Sequence, residues 1–416
     1  MTSTHAVKPG AAAGVSRGTG PETNAGTARD ALLDAARKLA PLIRQHADAA
    51  ERDRRLSPEV IRALIDAGFF RLLVPRSLGG LEVDPVTCSL IAEELAGSDS
   101  AAAWALQAGN VGAWWAARLP TEGVEEIYAA NPSAAMAAAF HPPQQAREVA
   151  GGYRVAGQGP LASTIHDSEW LFLTALVMEG DQPRMSGGMP ELIGLVVRTG
   201  EVEIVDTWHS LGMRGTDSHD VVIHDVFVPA SRTFPLVPEF EPGAHHRGPL
   251  YRIPGIAAAF FTIAPVPLAL ARSAVGEVRK LAQRKTPFGF NRPLRDRSVV
   301  QVTLARAEGM LRAARLLYYE TLGAAWDRTL AGEGHTLEQK ADLLLAATHA
   351  TATAATVVDL MHRVAGTTGV YARSPLERHF RDVETLRHHG FLSENRYEAV
   401  GQVYCGVPPE FAMVAF

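Results

Sequence analysis

The sequence predicts an α+β protein of more than one domain: an N-terminal helical domain, a small central β-barrel or sandwich domain, and a C-terminal four-helix bundle. Three observations predict it. Apolar residues recur at helical spacing as far as about residue 130, short strand-like runs take over until about Phe234, and long helical periodicity returns from Gly255. A chain of 416 residues is also too long for a single hydrophobic core. The expected segments are a disordered tail over 1–27, the helical domain over 28–135, the β domain over 136–240, and the bundle with its C-terminal extension over 250–405.

Each element has a local reason. The first 27 residues carry little charge and no apolar core, which fits a disordered tail and not a secretory signal. Leu32, Leu39 and Ile43 then repeat at helical spacing. Ser57 is a good N-cap, Pro58 suits the first helical position, and Gly68 follows the last turn. Gly79-Gly80 reads as a turn, and Asp84-Pro85 opens a helix that stops near Gly97. Ser98-Asp99-Ser100 can cap the next helix, which holds Trp104, Trp114 and Trp115. In the β region, Gly151-Gly152 reads as a hairpin turn, followed by strands at Trp170–Val177, Leu192–Val197, Val202–Trp208 and Val221–Val228. The bundle helices are expected over Ala271–Arg284, from Val299 to about Trp326, and from a Thr336/Gln339 capping box to about Ala365. A last helix is expected within Pro375–Ser393, where Leu376, Phe380 and Val383 share one face.

Composition narrows the function classes. A net charge of −5 leaves no basic footprint for nucleic acid or an anionic membrane. Cys88 and Cys405 form neither a disulfide framework nor a metal-ligand spacing, and suit buried thiols in a reducing, cytoplasmic compartment. The apolar run Ile256–Ala271 is too short to span a bilayer and is interrupted by Pro265 and Pro267. There is no glycine-rich dinucleotide fingerprint, P-loop, zinc spacing or Gly-x-Ser-x-Gly elbow. Any cofactor must therefore be held by a site scattered over the fold.

Several stretches resemble one family. Pro375, Glu377, Arg378, Arg381 and Asp382 form a Pro-x-Glu-Arg-x-x-Arg-Asp block; Asp206-Thr207-Trp208, Gly212-Met213-Arg214-Gly215-Thr216 and Val226-Phe227-Val228-Pro229 stand in the β region. Together, and in this order, they resemble the acyl-CoA dehydrogenase superfamily over nearly the whole chain after the tail. Where dehydrogenases of that family place a catalytic Glu, this chain has Gly390, preceded by His389. A Gly cannot abstract a proton, whereas an imidazole exchanges one near neutral pH. That pattern resembles the family's two-component flavin monooxygenases. The residues alone also suit a helix end, with cationic side chains in the last turn and Gly after it.

The resemblance implies a flavin site. Ser163, seven positions before Trp170, and its neighbour Thr164 match the position that hydrogen-bonds the flavin ring; a hydroxyl can donate or accept there. Arg284 opens an Arg-x-x-x-Phe-Gly element with Phe288, whose Arg is expected on a flavin phosphate, often across a subunit boundary. Gly366, Thr367 and Gly369 match the turn on the phosphate side. Without the resemblance these would read as a loop serine, a surface basic residue and a helix C-cap. His389 is the candidate acid or base, with His388 expected exposed. Asn110, Trp114 and His141 are candidates for the substrate pocket, although the Trp-rich helix is also plain core and His141 a plain surface residue. The family's second His falls here on Gly112.

The implied activity is that of an oxygenase component. It would take reduced FMN or FAD from a separate flavin reductase, use O2 through a C4a-(hydro)peroxyflavin, and oxygenate a hydrophobic aromatic or heterocyclic molecule. The resemblance also implies a homotetramer. Amino-sugar N-oxygenation, acyl-CoA dehydrogenation and a non-catalytic relative are the competing readings.

Overall fold

Helices occupy the chain from Pro21 to Tyr128, strands from Met136 to Pro235, and helices again from Gly255. The structure, a computed structural model, describes residues 21–416, with side chains from residue 26. Residues 1–20, most of the expected tail, lie outside the described residues. The first helix, α1 (Pro21–Asp53), begins inside the span read as tail and carries Pro41 within it.

The capping signals are used as written. In α2 (Pro58–Asp66) the Ser57 hydroxyl accepts from the Val60 amide, and Gly68 follows with φ +80°. In α3 (Pro85–Ala96) Asp84 accepts from the Thr87 amide at 2.8 Å. Asp99, the middle residue of its trio, caps the next helix through the Ala102 amide at 2.9 Å. That helix is not continuous: it divides at Ala105 into α4 (Ser100–Trp104) and α5 (Leu106–Trp115). The glycines of α5 permit close approach. A Cβ on Gly109 would lie 2.5 Å from the Phe70 backbone, and one on Gly112 2.6 Å from Met136. Helix α6 (Thr121–Tyr128) closes this region.

The β region holds β1 (Met136–Val149), β2 (Gly152–Ala162), β3 (Trp170–Glu179), β4 (Gln182–Pro183), β5 (Met185–Ser186), β6 (Met189–Pro190), β7 (Leu192–Arg198), β8 (Glu203–Val205), β9 (His219–Pro229) and β10 (Thr233–Pro235). The main sheet runs β10-β7-β3-β1-β2-β9-β8, with β4 on β3 and only the β1–β3 pair parallel. β10 and β8 stand at opposite ends of this order, so the strands make an open sheet, not a closed barrel. Val149 pairs with Gly152, which places the hairpin turn at Ala150-Gly151 and makes Gly152 the first residue of β2. Alternation along β3 splits its side chains between two cores: Leu171 and Leu173 pack within the sheet domain, while Trp170 and Phe172 join the core shared with the helices. The strand expected to reach Trp208 ends at Val205, because the Trp208 indole turns away to donate to the Met213 carbonyl at 3.1 Å.

The C-terminal region comprises α7 (Gly255–Ala258), α8 (Pro265–Arg284), α9 (Ser298–Leu330), α10 (Leu337–Ala365), α11 (Pro375–Leu386) and α12 (Arg396–Tyr404). α10 is the central rod, packed against α8, α9, α11 and α12. Its start is the expected capping box: Thr336 accepts from the Gln339 amide at 3.2 Å, and Gln339 accepts from the Thr336 amide at 2.9 Å. The segment Leu337–Val370 is long and apolar enough to cross a membrane, but 67% of its most apolar window is buried among the other helices. It reads as a core helix.

Candidate active site

The end of β2 makes the first part of the site. Register shifts between Gly159 and Ala162 release the strand into a turn, with Leu161 at φ +62° and Thr164 at φ +60°. The turn is tied to the loop before β9: the Thr164 amide donates to the Thr216 carbonyl at 2.8 Å, and the His166 amide to Asp217 at 2.9 Å. Thr164 is buried, whereas Ser163 keeps part of its surface open. The Trp104 indole N–H donates to Ser163 Oγ at 3.0 Å.

The chain just beyond α11 makes the second part. His389 meets Trp104 edge-to-face, with ring centroids 5.3 Å apart, and Phe391 at 6.0 Å. Phe391 in turn meets Phe140 and Phe411, both at 5.9 Å. Trp104 therefore touches both Ser163 and His389, which are 226 residues apart in sequence. His389 keeps a strip of exposed surface, yet protein surrounds it enough that burial pushes its pKa down to about 4. It is a neutral imidazole at pH 7. Its Nδ1 accepts the Phe391 amide at 3.4 Å, which leaves the ring proton on Nε2. His388 beside it is exposed, as expected. Among the described residues, the side-chain partners of Trp104, Ser163 and His389 include no carboxylate.

A third group lies elsewhere. Arg284, the exposed last residue of α8, lines a cleft of about 300 Å³ together with Thr368, Tyr371 and Arg373. Lys285 ties the two sides of this region, with Nζ donating to Thr368 Oγ1 at 2.7 Å and to the Ala365 carbonyl. Gly366 stands at φ +56°, and a Cβ on Gly369 would press on the His362 ring at 3.1 Å. Thr367 and Phe288 are exposed, Phe288 completely. Arg284 and the Gly366–Gly369 turn are thus brought together, but they do not meet Ser163 or His389 within this chain.

Three expectations are corrected. Asn110 is not a pocket residue. It is fully buried, its amide donating to the Phe69 and Leu106 carbonyls and its oxygen accepting from the Leu73 amide, so its hydrogen-bonding groups serve the backbone. Trp114 is core, wedged edge-to-face against Trp115 and covered by the Arg118 guanidinium. His141 is exposed; it is the preceding residue, Phe140, that reaches the site through Phe391. The missing second His has a physical reason, since Gly112 has no room for a side chain beside Met136. Trp104 is a core residue, as the apolar surroundings in the sequence imply, and its contacts with Ser163 and His389 give it a second place, in the site. A cavity of about 720 Å³ lies between α1, α4, α8 and α11, but it includes none of Trp104, Ser163 or His389.

The acyl-CoA dehydrogenase N-terminal domain model matches residues 27–141, and the C-terminal domain model residues 261–394. The indole-3-acetate monooxygenase of Pseudomonas putida is 32% identical over 387 residues, covering 92% of this chain and 95% of that protein. The chain belongs to the acyl-CoA dehydrogenase family, in its flavin-dependent monooxygenase branch. The flavin-dependent monooxygenase oxygenase subunit HsaA of Mycobacterium tuberculosis is 28% identical over 93% of this chain and 98% of its own. Among solved structures, XiaF from Streptomyces sp. in complex with FADH2 and glycerol superposes with a TM-score of 0.86 at 25% identity, over 94% of this chain and 98% of that one. Dibenzothiophene monooxygenase from Paenibacillus sp. A11-2, at 18% identity and TM-score 0.74 over 90% of this chain and 97% of that one, shares the fold.

Proposed function

We propose that this chain is the oxygenase component of a two-component flavin-dependent monooxygenase, and that it oxygenates an aromatic or heterocyclic small molecule. The observation that carries the reading is the Ser163–Trp104–His389 cluster: the hydroxyl of a half-buried serine and a neutral imidazole share one indole, with no carboxylate among them where a dehydrogenase needs its base. The relatives named for indole-3-acetate and for the oxygenase subunit HsaA support the same reaction class.

The residues present fit a flavin. Ser163 offers a hydroxyl to the ring, and Arg284, which has no ion-pair partner among the described residues, offers with the Gly366–Gly369 turn a cation and a close backbone approach to phosphate. The flavin, when bound in its reduced form, supplies the activation of O2. The protein orients the ring through Ser163, keeps water from it with Trp104, Phe140 and Phe391, and holds a proton on His389 Nε2. FMN and FAD both fit this set of groups. The separation of the Arg284 cleft from the Ser163–His389 cluster, and the bare Phe288, favour a phosphate site completed by a second copy, as in a homotetramer. A separate flavin reductase would supply the reduced flavin. Cys88 is buried as expected, whereas Cys405, expected buried, is exposed just past α12; both are free thiols, which suits a cytoplasmic setting.

The test is anaerobic. The protein is loaded with reduced FMN or FAD, mixed with oxygenated buffer, and followed by flavin absorbance and product analysis, with indole-3-acetate as a first aromatic substrate. Delayed reoxidation with oxygenated product is the expected result. Reoxidation at the rate of free flavin, with hydrogen peroxide as sole product for a panel of aromatic substrates, would remove the proposal; turnover of an acyl-CoA with an electron acceptor would replace it with the dehydrogenase reading.

A further inference from the structure

The Ser163 hydroxyl sits in a run of hydrogen bonds whose direction can be worked out. Thr216 Oγ1 lies 2.8 Å from the Met213 carbonyl, which can only accept, so Thr216 spends its single proton there. The 2.7 Å contact between Thr216 Oγ1 and Ser218 Oγ must then be carried by the Ser218 proton. The 2.8 Å contact between Ser218 Oγ and Ser163 Oγ must in turn be carried by the Ser163 proton. Any other assignment leaves two oxygens in contact with no hydrogen between them, either two hydroxyls or the Thr216 hydroxyl and the Met213 carbonyl. The Trp104 indole N–H, a donor only, fills one lone pair of Ser163 at 3.0 Å. The run is therefore Trp104 to Ser163 to Ser218 to Thr216 to the Met213 carbonyl, every proton pointing the same way.

The run is anchored at both ends by the same short helix. The Met213 amide donates to Asp382 Oδ1 at 2.6 Å, and Ser100 Oγ donates to Asp382 Oδ2 at 2.6 Å. Ser100 begins α4 and Trp104 ends it. Helix α4, the loop before β9, the turn after β2 and helix α11 thus close one ring, and no hydroxyl in it is free to reverse alone.

We propose that Trp104, Ser218 and Thr216 are positioning residues that lock the Ser163 hydroxyl as a hydrogen-bond acceptor toward the bound flavin, so that the site discriminates for the reduced form. The inference rests on the flavin reading above. With its proton committed to Ser218 and one lone pair to Trp104, Ser163 has a single lone pair left on its open side. Reduced flavin carries an N–H at ring position N5 and can donate to that lone pair. Oxidised flavin presents only a lone pair at N5, so two acceptors would face each other. An unconstrained serine would serve both forms equally, by rotating its proton.

The experiment measures binding, not turnover. Wild type, Ser218→Ala, Ser218→Thr and Thr216→Val are titrated anaerobically with oxidised and with reduced flavin, and the ratio of the two dissociation constants is compared. Ser218→Ala frees the Ser163 proton to turn toward N5; oxidised flavin should bind more tightly, and the preference for the reduced form should fall roughly tenfold. Ser218→Thr keeps the relay and should keep the wild-type ratio. Thr216→Val removes the acceptor for the Ser218 proton, which can then turn back toward Ser163, and should also erode the preference. Tighter binding of oxidised flavin cannot come from a misfolded variant. An unchanged ratio in both Ser218→Ala and Thr216→Val, with a reduced-form preference in the wild type, would overturn the relay and leave the proposed function standing. Failure of the wild type to bind flavin in either state would overturn both.

Discussion

Helix α11 and the residues just beyond it do opposite jobs within a few turns of chain. Its body is a clamp of charges. Arg381 binds Glu51 at 2.5 Å and Glu377 at 2.6 Å and donates to the Leu211 carbonyl at 3.0 Å; Arg378 binds Glu51 at 2.7 Å and also Asp48; Asp382 takes the Ser100 and Met213 donors. Past its end, His389 has ring neighbours and one long hydrogen bond, and burial alone shifts its pKa. The difference teaches how a reactive imidazole is kept neutral. The charges that pin α11 to α1 and to the β domain are spent before the site begins, so that rigidity reaches His389 through the helix while the fields of those ions do not. A carboxylate beside His389 would pull its pKa up; the aromatic wall holds it down.

The sharpest way to break the comparison is at the clamp. Arg381→Ala removes the shared partner of Glu51 and Glu377 and should cost on the order of 3–4 kcal/mol of stability, measured by denaturant unfolding. A loss below about 1 kcal/mol would show the cluster to be an ordinary surface network. At the other end, His389→Ala should leave thermal stability and flavin binding near wild type while product formation per flavin oxidised drops roughly hundredfold. If it unfolds the protein instead, the two ends are not separate in function.

The pH dependences separate the ends further. Burial raises the Asp382 pKa to about 6, above its unfolded value of about 4. The folded state therefore binds the proton more tightly, and this contribution to stability, present at low pH, is lost as pH rises through 6. Its size is roughly 2–3 kcal/mol. Asp382→Asn should flatten the stability profile between pH 4 and 6, and an unchanged profile would assign that slope to other groups. His389 has the reverse sign: its lowered pKa means that stability is lost as pH falls from about 6.5 toward 4. Its catalytic contribution should accordingly be level from about pH 5.5 to 8, and an inflection near 6.5 that disappears in His389→Gln would show that the ring is solvated. The smallest effect is expected for Trp104→Phe, which keeps the ring contact with His389 and removes only the indole N–H on Ser163; product formation should change by a few-fold, read against the same variant's flavin affinity.

Much of the fold could be read along the chain because the signals are local. Ser57, Asp84 and the Thr336/Gln339 pair cap the helices they appear to cap, and the two sides of β3 follow the alternation of its residues. The misreadings come from contacts that sequence spacing does not encode. The Trp-rich helix breaks at Ala105, Gly112 is small because Met136 is there, and Asn110 looks like a free amide until Phe69, Leu73 and Leu106 take its bonds. Trp104 and Trp114 both lie in the core, yet only Trp104 also reaches the site, a distinction made by Ser163 and His389 on elements distant in the chain.

The sequence by itself determined the order of domains, the caps, the family pattern around Arg381-Asp382, and the replacement of a carboxylate by His389-Gly390. It also determined that a hydroxyl stands at Ser163. Which way that hydroxyl points was decided only in three dimensions. A serine can donate or accept, and nothing within a few residues of it selects one. The choice follows from Trp104, Ser218, Thr216 and the Met213 carbonyl, brought together from the helical domain and the β domain and anchored on Asp382 of the bundle. Proton direction in a hydrogen-bonded ring belongs to the whole ring, because each hydroxyl has one proton to give.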